Sequence, residues 1–282
     1  MKLIADSGST KTAWCLMDER GDRQLFMTQG INPFQQTEEE IYGVMRDELL
    51  RQVEGIGMAV DSEDGLEVFF YGAGCTREAA PKVESALRRA VGNDAVIAVE
   101  SDMLGAARAL CGDEAGVVAI LGTGSNSCLY DGRGIVSNVS PLGFILGDEG
   151  SGAYIGKRLV GDVLKRQLPD EVCKAFFEET RETAASIIQK TYREAFPSRF
   201  LASLSPFCAR HRDDEAVHEL LVDSFTQFFV RNIAAYGMRT VNFVGSVAFY
   251  YQQEIRESAT ALGYTVGRVL KEPLQGLASY HS

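Results

Sequence analysis

The sequence predicts an α/β protein in two lobes, the second helix-rich, and three observations carry that prediction. The chain has 282 residues, near the size at which one hydrophobic core stops growing, so two lobes are expected. Its first half alternates strand and helix patterns, and the alternation restarts at Gly116. From Gly152 to Tyr236 the pattern is helical, with no strand signal.

Taken in order, Lys2–Asp6 is a short apolar run, Ser7-Gly8-Ser9-Thr10 a turn, and Thr12–Met17 the returning strand of a hairpin. Arg23–Thr28 supplies a third strand. Thr37, followed by Glu38, Glu39 and Glu40, reads as an N-cap with acids in the first turn, opening a helix to about Val53. Leu66–Tyr71 is a strand, Arg77–Val91 a helix and Ala95–Val99 a strand; a short helix follows Ser101-Asp102 and ends at Gly112. Val117–Leu121, the turn Gly122-Thr123-Gly124-Ser125, Asn126–Tyr130 and Gly134–Val139 repeat the opening pattern, a weak internal repeat without sequence identity. Val241–Val244 is a late strand running into Gly245-Ser246. A helix from about Ala248 to Leu262, a last strand Tyr264–Val269 and a helix after Pro273 complete the chain. The expected division is a first lobe over 1–111, a second over 112–268, and a terminal helix in 269–282 returning to the first.

The 39 acids against 28 Lys plus Arg leave a net charge of −11. That excludes a generic nucleic-acid binder, so an anionic ligand must be held locally by backbone amides, a helix N-terminus or a metal. Cys15, Cys75, Cys111, Cys128, Cys173 and Cys208 are scattered without a C-x-x-C pair, as expected of reduced thiols in a cytoplasmic protein. No apolar run approaches a membrane span, and Asp6 interrupts any signal peptide. His211, His218 and His281 have no metal or triad spacing and are expected at the surface. The stripe Leu220–Ile233 suits a core or the face of a homodimer.

Three glycine turns compete as phosphate sites. Asp6-Ser7-Gly8-Ser9-Thr10-Lys11 closes a hairpin, with Asp6 placed to hold Mg²⁺ through water; read alone, it is an ordinary turn. Gly122-Thr123-Gly124-Ser125-Asn126 continues as a strand, unlike a dinucleotide fingerprint, and lacks the lysine of a P-loop. Gly72-Ala73-Gly74-Cys75-Thr76-Arg77 lies between strand and helix as a dinucleotide turn would, but Arg77 stands where a third glycine is wanted.

Two hairpin turns of like chemistry say more than either alone, since together they could grip a phosphate chain from both sides. The pattern Asp6-x-Gly8-x-Thr10, Leu121-Gly122-Thr123-Gly124 and Val244-Gly245-Ser246 resembles the first phosphate, second phosphate and adenosine loops of the actin/sugar-kinase/heat-shock ATPase superfamily, in that order. Gly30-Ile31-Asn32-Pro33, Ser101–Ala106, Gly122–Asn126 and Gly147–Gly152 resemble the N-acetylglucosamine-kinase-like group of the BadF/BadG/BcrA/BcrD ATPases. The resemblance implies a two-lobed actin-like (ribonuclease H-like) fold. It also implies Mg²⁺-dependent transfer of the ATP γ-phosphoryl group to an amino sugar, be it N-acetylglucosamine, glucosamine or a muramic derivative.

On that resemblance Asp102 is the catalytic base; by spacing alone, Ser101 or Asp102 could equally be a helix cap. Asn32, held extended by Pro33, and Ser125, Asn126, Asp148 and Glu149 are expected at the sugar. Gly8, Ser9, Thr10, Lys11, Gly122, Thr123, Gly124, Gly245 and Ser246 are expected at the nucleotide, and Asp6 at the metal. Gly245-Ser246 departs from the double glycine common in adenosine loops. Two other readings stay open: an iron–sulfur activator ATPase, for which the second-loop region offers only Cys128, and a non-catalytic sugar sensor, which would usually carry a DNA-binding extension.

Overall fold

The computed structural model describes residues 1–8, 10–58, 60 and 65–282; Ser9, expected in the first phosphate loop, lies outside them. The chain forms two units, Met1–Gly112 with Pro273–Ser282, and Asp113–Glu272.

The first unit is built on Lys2–Ser7 (β1), Lys11–Met17 (β2), Arg23–Gln29 (β3), Glu67–Gly72 (β4) and Val96–Ser101 (β5), in the order β3-β2-β1-β4-β5. The first three form an antiparallel meander, and β4 and β5 extend it in parallel from β1. Between β3 and β4 run Glu38–Val44 (α1), a π-helical segment over Met45–Leu50 and Arg51–Gly55 (α2). The start is set as the sequence suggests: Thr37 Oγ1 accepts from Glu40 N, and Glu40 Oε2 accepts from Thr37 N at 2.7 Å, a capping box.

Ala80–Val91 (α3) begins three residues later than the expected Arg77, because Thr76–Ala79 is closed as a turn by Ala79 N donating to Thr76 O, and Pro81 then occupies the first helical turn. Asp102–Cys111 (α4) ends at Gly112, as expected. The core gathers Leu3, Trp14, Phe70, Val83 and Leu87, all fully buried.

The second unit repeats the plan with Ala115–Leu121 (β6), Ser125–Asp131 (β7), Ile135–Val139 (β8), Thr240–Val244 (β9) and Thr265–Leu270 (β10), ordered β10-β9-β6-β7-β8. Between β8 and β9 comes a helical insertion: Gly143–Leu146 (α5), Gly152–Leu164 (α6), Asp170–Thr180 (α7), Ala184–Tyr192 (α8), Pro197–Arg210 (α9) and Glu215–Phe228 (α10), ending in π and 3₁₀ turns. The stripe Leu220–Ile233 buries Leu220, Leu221, Phe225, Phe228, Phe229 and Ile233 in this unit's own core.

The helix expected over Ala248–Leu262 is two, Ser246–Tyr250 (α11) and Gln252–Ala261 (α12). The break falls at Tyr251, which turns its buried ring into the core and donates its hydroxyl to Ser205 O at 2.5 Å. Leu274–Tyr280 (α13) belongs to the first unit and packs on α4, where Gly276 lies against Ala109.

His281 also departs from the surface position expected of it. Its ring stacks on Phe69 with centroids 3.7 Å apart, and Nε2 lies 2.8 Å from the Tyr71 hydroxyl.

Candidate functional site

In the first unit the site residues collect at the carboxyl ends of parallel strands, where open α/β sheets present ligand groups. The sheet register sets Asp6, Tyr71 and Glu100 side by side, and Ser7, Gly72 and Ser101 one step beyond. The hairpin turn is closed by Gly8 N donating to Lys11 O at 3.0 Å, while Thr10 and Lys11 are exposed.

Buried Ser7, which the sequence reading passed over, fixes the next segment: its hydroxyl donates to Ile31 O at 2.9 Å and accepts from Ile31 N at 3.0 Å. That places Asn32, itself buried, against Gly74; a Cβ there would lie 2.7 Å from Asn32 Oδ1. Asn32 Oδ1 accepts from Phe34 N, and among the described residues its Nδ2 has no partner, so the amide nitrogen remains for a ligand.

At the end of β5 the choice between two caps is resolved. Ser101 Oγ accepts from Leu104 N at 3.2 Å and is the cap; Asp102 is the first helical residue, with Oδ1 accepting from Met103 N at 2.8 Å. Burial pushes the Asp102 carboxyl above its ordinary range, opposed by backbone amides. A carboxylate so disposed is a stronger base than one in water. Burial, with a smaller effect of Asp102, pushes the neighbouring Cys75 thiol up to about 12, so it stays protonated. A cavity of about 460 Å³ opens here, lined among others by Cys75, Arg77, Glu100 and Ser101.

In the second unit the turn between β6 and β7 is closed by Gly122 N donating to Gly124 O at 2.9 Å. The carbonyls of Gly122 and Thr123 accept from Gly152 N and Ala153 N at the start of α6, at 2.8 and 3.1 Å. With the carbonyls turned to the helix, the amides of Thr123 and Gly124 have no protein acceptor among the described residues, the disposition a phosphate requires. Asp148, in the left-handed region at φ 55°, turns its carboxylate onto this loop, where a Cβ on Gly124 would lie 3.1 Å from Oδ2. Burial raises its pKa to about 6; a hydrogen bond from the Ser125 backbone and nearby Lys157 pull the other way, and Glu149 adds to the rise.

Ser125 Oγ is buried without a hydrogen-bond partner among the described residues. Asn126 Oδ1 accepts from Ser127 N and from Asn138 Nδ2. Glu149 differs from Asp148 in having side-chain partners: Asn232 Nδ2 donates to Oε2 at 3.1 Å, and Arg231 Nε lies 3.7 Å from Oε1. Lys157 of α6, the cation facing both acids, was not singled out from sequence, and no local signal marks it because Asp148 lies outside that helix. Gly245 takes φ 121°, and a Cβ there would come within 2.2 Å of Leu121 O, so the end of β9 is pressed onto the end of β6; exposed Ser246 opens α11.

No group of three metal-ligating side chains occurs among the described residues. Magnesium in phosphoryl transfer keeps water and phosphate oxygens as most of its ligands, so one half-buried carboxylate such as Asp6 fits that donor set. No helix of the described residues is long and apolar enough to cross a membrane.

Two five-stranded sheets of one topology, each with a glycine turn after its first strand, define an actin-like ATPase fold. The chain belongs to the BadF/BadG/BcrA/BcrD ATPase family, whose pattern it matches over residues 5–169. It is similar to a candidate N-acetylglucosamine kinase of Porphyromonas gingivalis, at 49% identity over 100% of this chain and 98% of that one, with a TM-score of 0.92. A second such candidate kinase, from Chromobacterium violaceum, shares the fold at 18% identity and TM-score 0.76, covering 100% of this chain and 98% of its own. A ROK family glucokinase from Streptomyces griseus, solved with glucose and AMPPNP, shares it at 19% identity and TM-score 0.52, over 99% and 97% of the two chains. A search of curated proteins found no match.

Proposed function

We propose that the protein is an ATP-dependent sugar kinase that phosphorylates an amino sugar, N-acetylglucosamine or a related hexosamine, with Asp102 as general base. The observation that carries the reading is the division of labour at the start of α4. Ser101 takes the capping role, leaving Asp102 with a half-buried carboxylate of raised proton affinity at the end of β5. Phosphoryl transfer is mostly positioning and charge stabilisation, and a carboxylate that accepts the acceptor hydroxyl's proton completes it. The 49%-identical relative named for N-acetylglucosamine supports the substrate class.

In this reading Asn32, Ser125, Asn126, Asp148 and Glu149 hold the sugar. Gly8, Ser9, Thr10, Lys11, Gly122, Thr123, Gly124, Gly245 and Ser246 are the residues proposed for the nucleotide. Asp6 holds Mg²⁺, which would offset charge on the transferred phosphoryl group, a need sharpened by the chain's −11. Cys128, the thiol an iron–sulfur reading would use, is fully buried within β7, which gives that alternative no support. The test is a panel of free and N-acetylated hexosamines with ATP, run beside Asp102→Asn. Loss of the base is expected to lower kcat by about 10²- to 10⁴-fold. Near-full activity in Asp102→Asn refutes the base, and inactivity on every hexosamine refutes the substrate class.

A further inference from the structure

We propose that the carboxyl-terminal segment is a positioning device for Asp102, acting through a relay of Arg108, Tyr71 and His281 that fixes α4. The proposal rests on Asp102 being the general base. Helix α4 carries Asp102 at its first residue, Gly105 one turn on and Arg108 on the next.

Gly105 lets the helix lie directly on Tyr71: a Cβ there would sit 2.8 Å from both Cβ and Cγ of that ring. Arg108 Nη1 donates to the Tyr71 hydroxyl at 2.7 Å and the guanidinium lies 5.4 Å over the Tyr280 ring. On the other side Gly276 of α13 abuts Ala109, where a Cβ would come within 2.6 Å of the Ala109 carbonyl. Helix α4 is thus held by β4 beneath it and by the chain's last helix.

The hydrogen-bond directions follow from the groups present. A guanidinium can only donate, so the Tyr71 oxygen accepts from Arg108 and its one proton is left for His281 Nε2, 2.8 Å away. Nε2 is therefore the acceptor, and His281 is neutral with its proton on Nδ1. Its surroundings agree. Burial, then Arg108 of α4, then Lys2 of β1 push its pKa down to about 4, and Lys2 Nζ donates to the His281 carbonyl. The other titratable groups near the relay are Tyr280, beside the imidazole, and Glu100 of β5, which acts on Tyr71 and Arg108. Among the described residues Arg108 Nε is buried without a hydrogen-bond partner, so the guanidinium is placed by the bond to Tyr71 and the Tyr280 ring. Tyr71 is also the register neighbour of Asp6 in the sheet. A shift of this ring would reach the helix that bears Asp102 through Gly105, while Asp6 stays held by the backbone pairing of β1.

The experiment compares the full chain with His281→Phe, His281→Gln and Asp102→Asn. Phenylalanine keeps a ring to stack on Phe69 but cannot accept from Tyr71; glutamine can place an acceptor near the position of Nε2. With Asp102 freed to shift, His281→Phe is expected to lose kcat on the order of 10-fold, with the nucleotide KM unchanged. His281→Gln is expected to recover most of that loss, and imidazole NMR to show a neutral Nδ1–H tautomer persisting to about pH 5 in the wild type. Wild-type kcat in His281→Phe, or a glutamine variant as slow as the phenylalanine one, overturns the positioning role even where Asp102→Asn is inactive. Full activity in Asp102→Asn overturns the base and this inference together.

Discussion

Asp148→Asn should make the protein more stable and less able to hold its sugar, two effects of opposite sign from one substitution. Asp148 is 8% exposed, and its pKa rises from an ordinary 3.8 to about 6. At about 1.36 kcal/mol per pH unit, the fold disfavours the ionised carboxylate by roughly 2 to 3 kcal/mol. Because the folded-state value is the higher one, the folded chain holds the proton more tightly than the unfolded chain. Wild-type stability therefore declines as pH rises from about 4 through 6 and stays low above it.

Asparagine removes the charge and can still accept from the Ser125 amide. It also tolerates the φ of 55° better than most residues. The expected gain is about 1 to 3 kcal/mol at pH 7, shrinking toward zero near pH 4, read by urea unfolding at both values. A sugar hydroxyl loses a charged acceptor in the same variant, so its KM should rise by roughly 10- to 100-fold. In the wild type that KM should climb about 10-fold between pH 7 and pH 5 as Asp148 takes up its proton, and in the variant this step should be flat. A variant less stable than wild type at pH 7, or one with an unchanged sugar KM, refutes the reasoning.

Ser125→Ala removes a buried hydroxyl that has no partner among the described residues, so unfolding should show no loss of stability while the sugar KM rises several-fold. Gly245→Ala combines φ 121° with a Cβ 2.2 Å from Leu121 O; differential unfolding should show a loss of about 2 to 4 kcal/mol, with nucleotide binding weakened more than sugar binding. Chelation of magnesium should abolish nucleotide binding measured by calorimetry, and restoring the ion should recover it, because the chain's net charge of −11 offers phosphates little else.

Most strands could be placed from sequence because their signals are local. The apolar run at Lys2–Asp6, the turn after it and the alternation of Gly/Ser/Thr turns with strands survive whatever packs against them. The capping box at Thr37 and the stop at Gly112 are equally local. What escaped depends on contacts between distant residues. Tyr251 sits at a helix break where its hydroxyl donates a hydrogen bond to the carbonyl of Ser205, far away in sequence. His281 looks like a solvated terminus until Phe69 and Tyr71 are brought beneath it. At the site, Asp102 and Ser101 were indistinguishable as caps by spacing, because both can accept from an amide near a helix start; only the geometry separates them. Asp148 and Glu149 are adjacent and chemically alike, yet the reversed backbone at Asp148 turns one toward the glycine loop and leaves the other to Asn232.

The turn at Gly72-Ala73-Gly74 shows how one motif can arise from packing rather than from a ligand. Numbered from the first strand of each unit, the two sheets have the same order, so β4 and β9 occupy equivalent places beside β1 and β6. β4 ends in Gly72 and β9 is followed directly by Gly245, each for a steric reason. A Cβ on Gly72 would come within 2.6 Å of the Phe70 ring and 2.9 Å of Cys75 Sγ, and one on Gly245 would strike Leu121 O. The chain must leave this strand tightly, whatever it goes on to bind. In the first unit the second glycine of the turn, Gly74, then makes room for Asn32 and Phe34. Its apparent dinucleotide fingerprint is thus accounted for without a pyrophosphate, and Arg77, in the place of a third glycine, has no helix to pack because α3 begins beyond it. The duplicated topology sets the demand for glycine at these two strand ends. What each loop holds is decided by the residues that fold against it, Asn32 in one unit and Leu121 in the other.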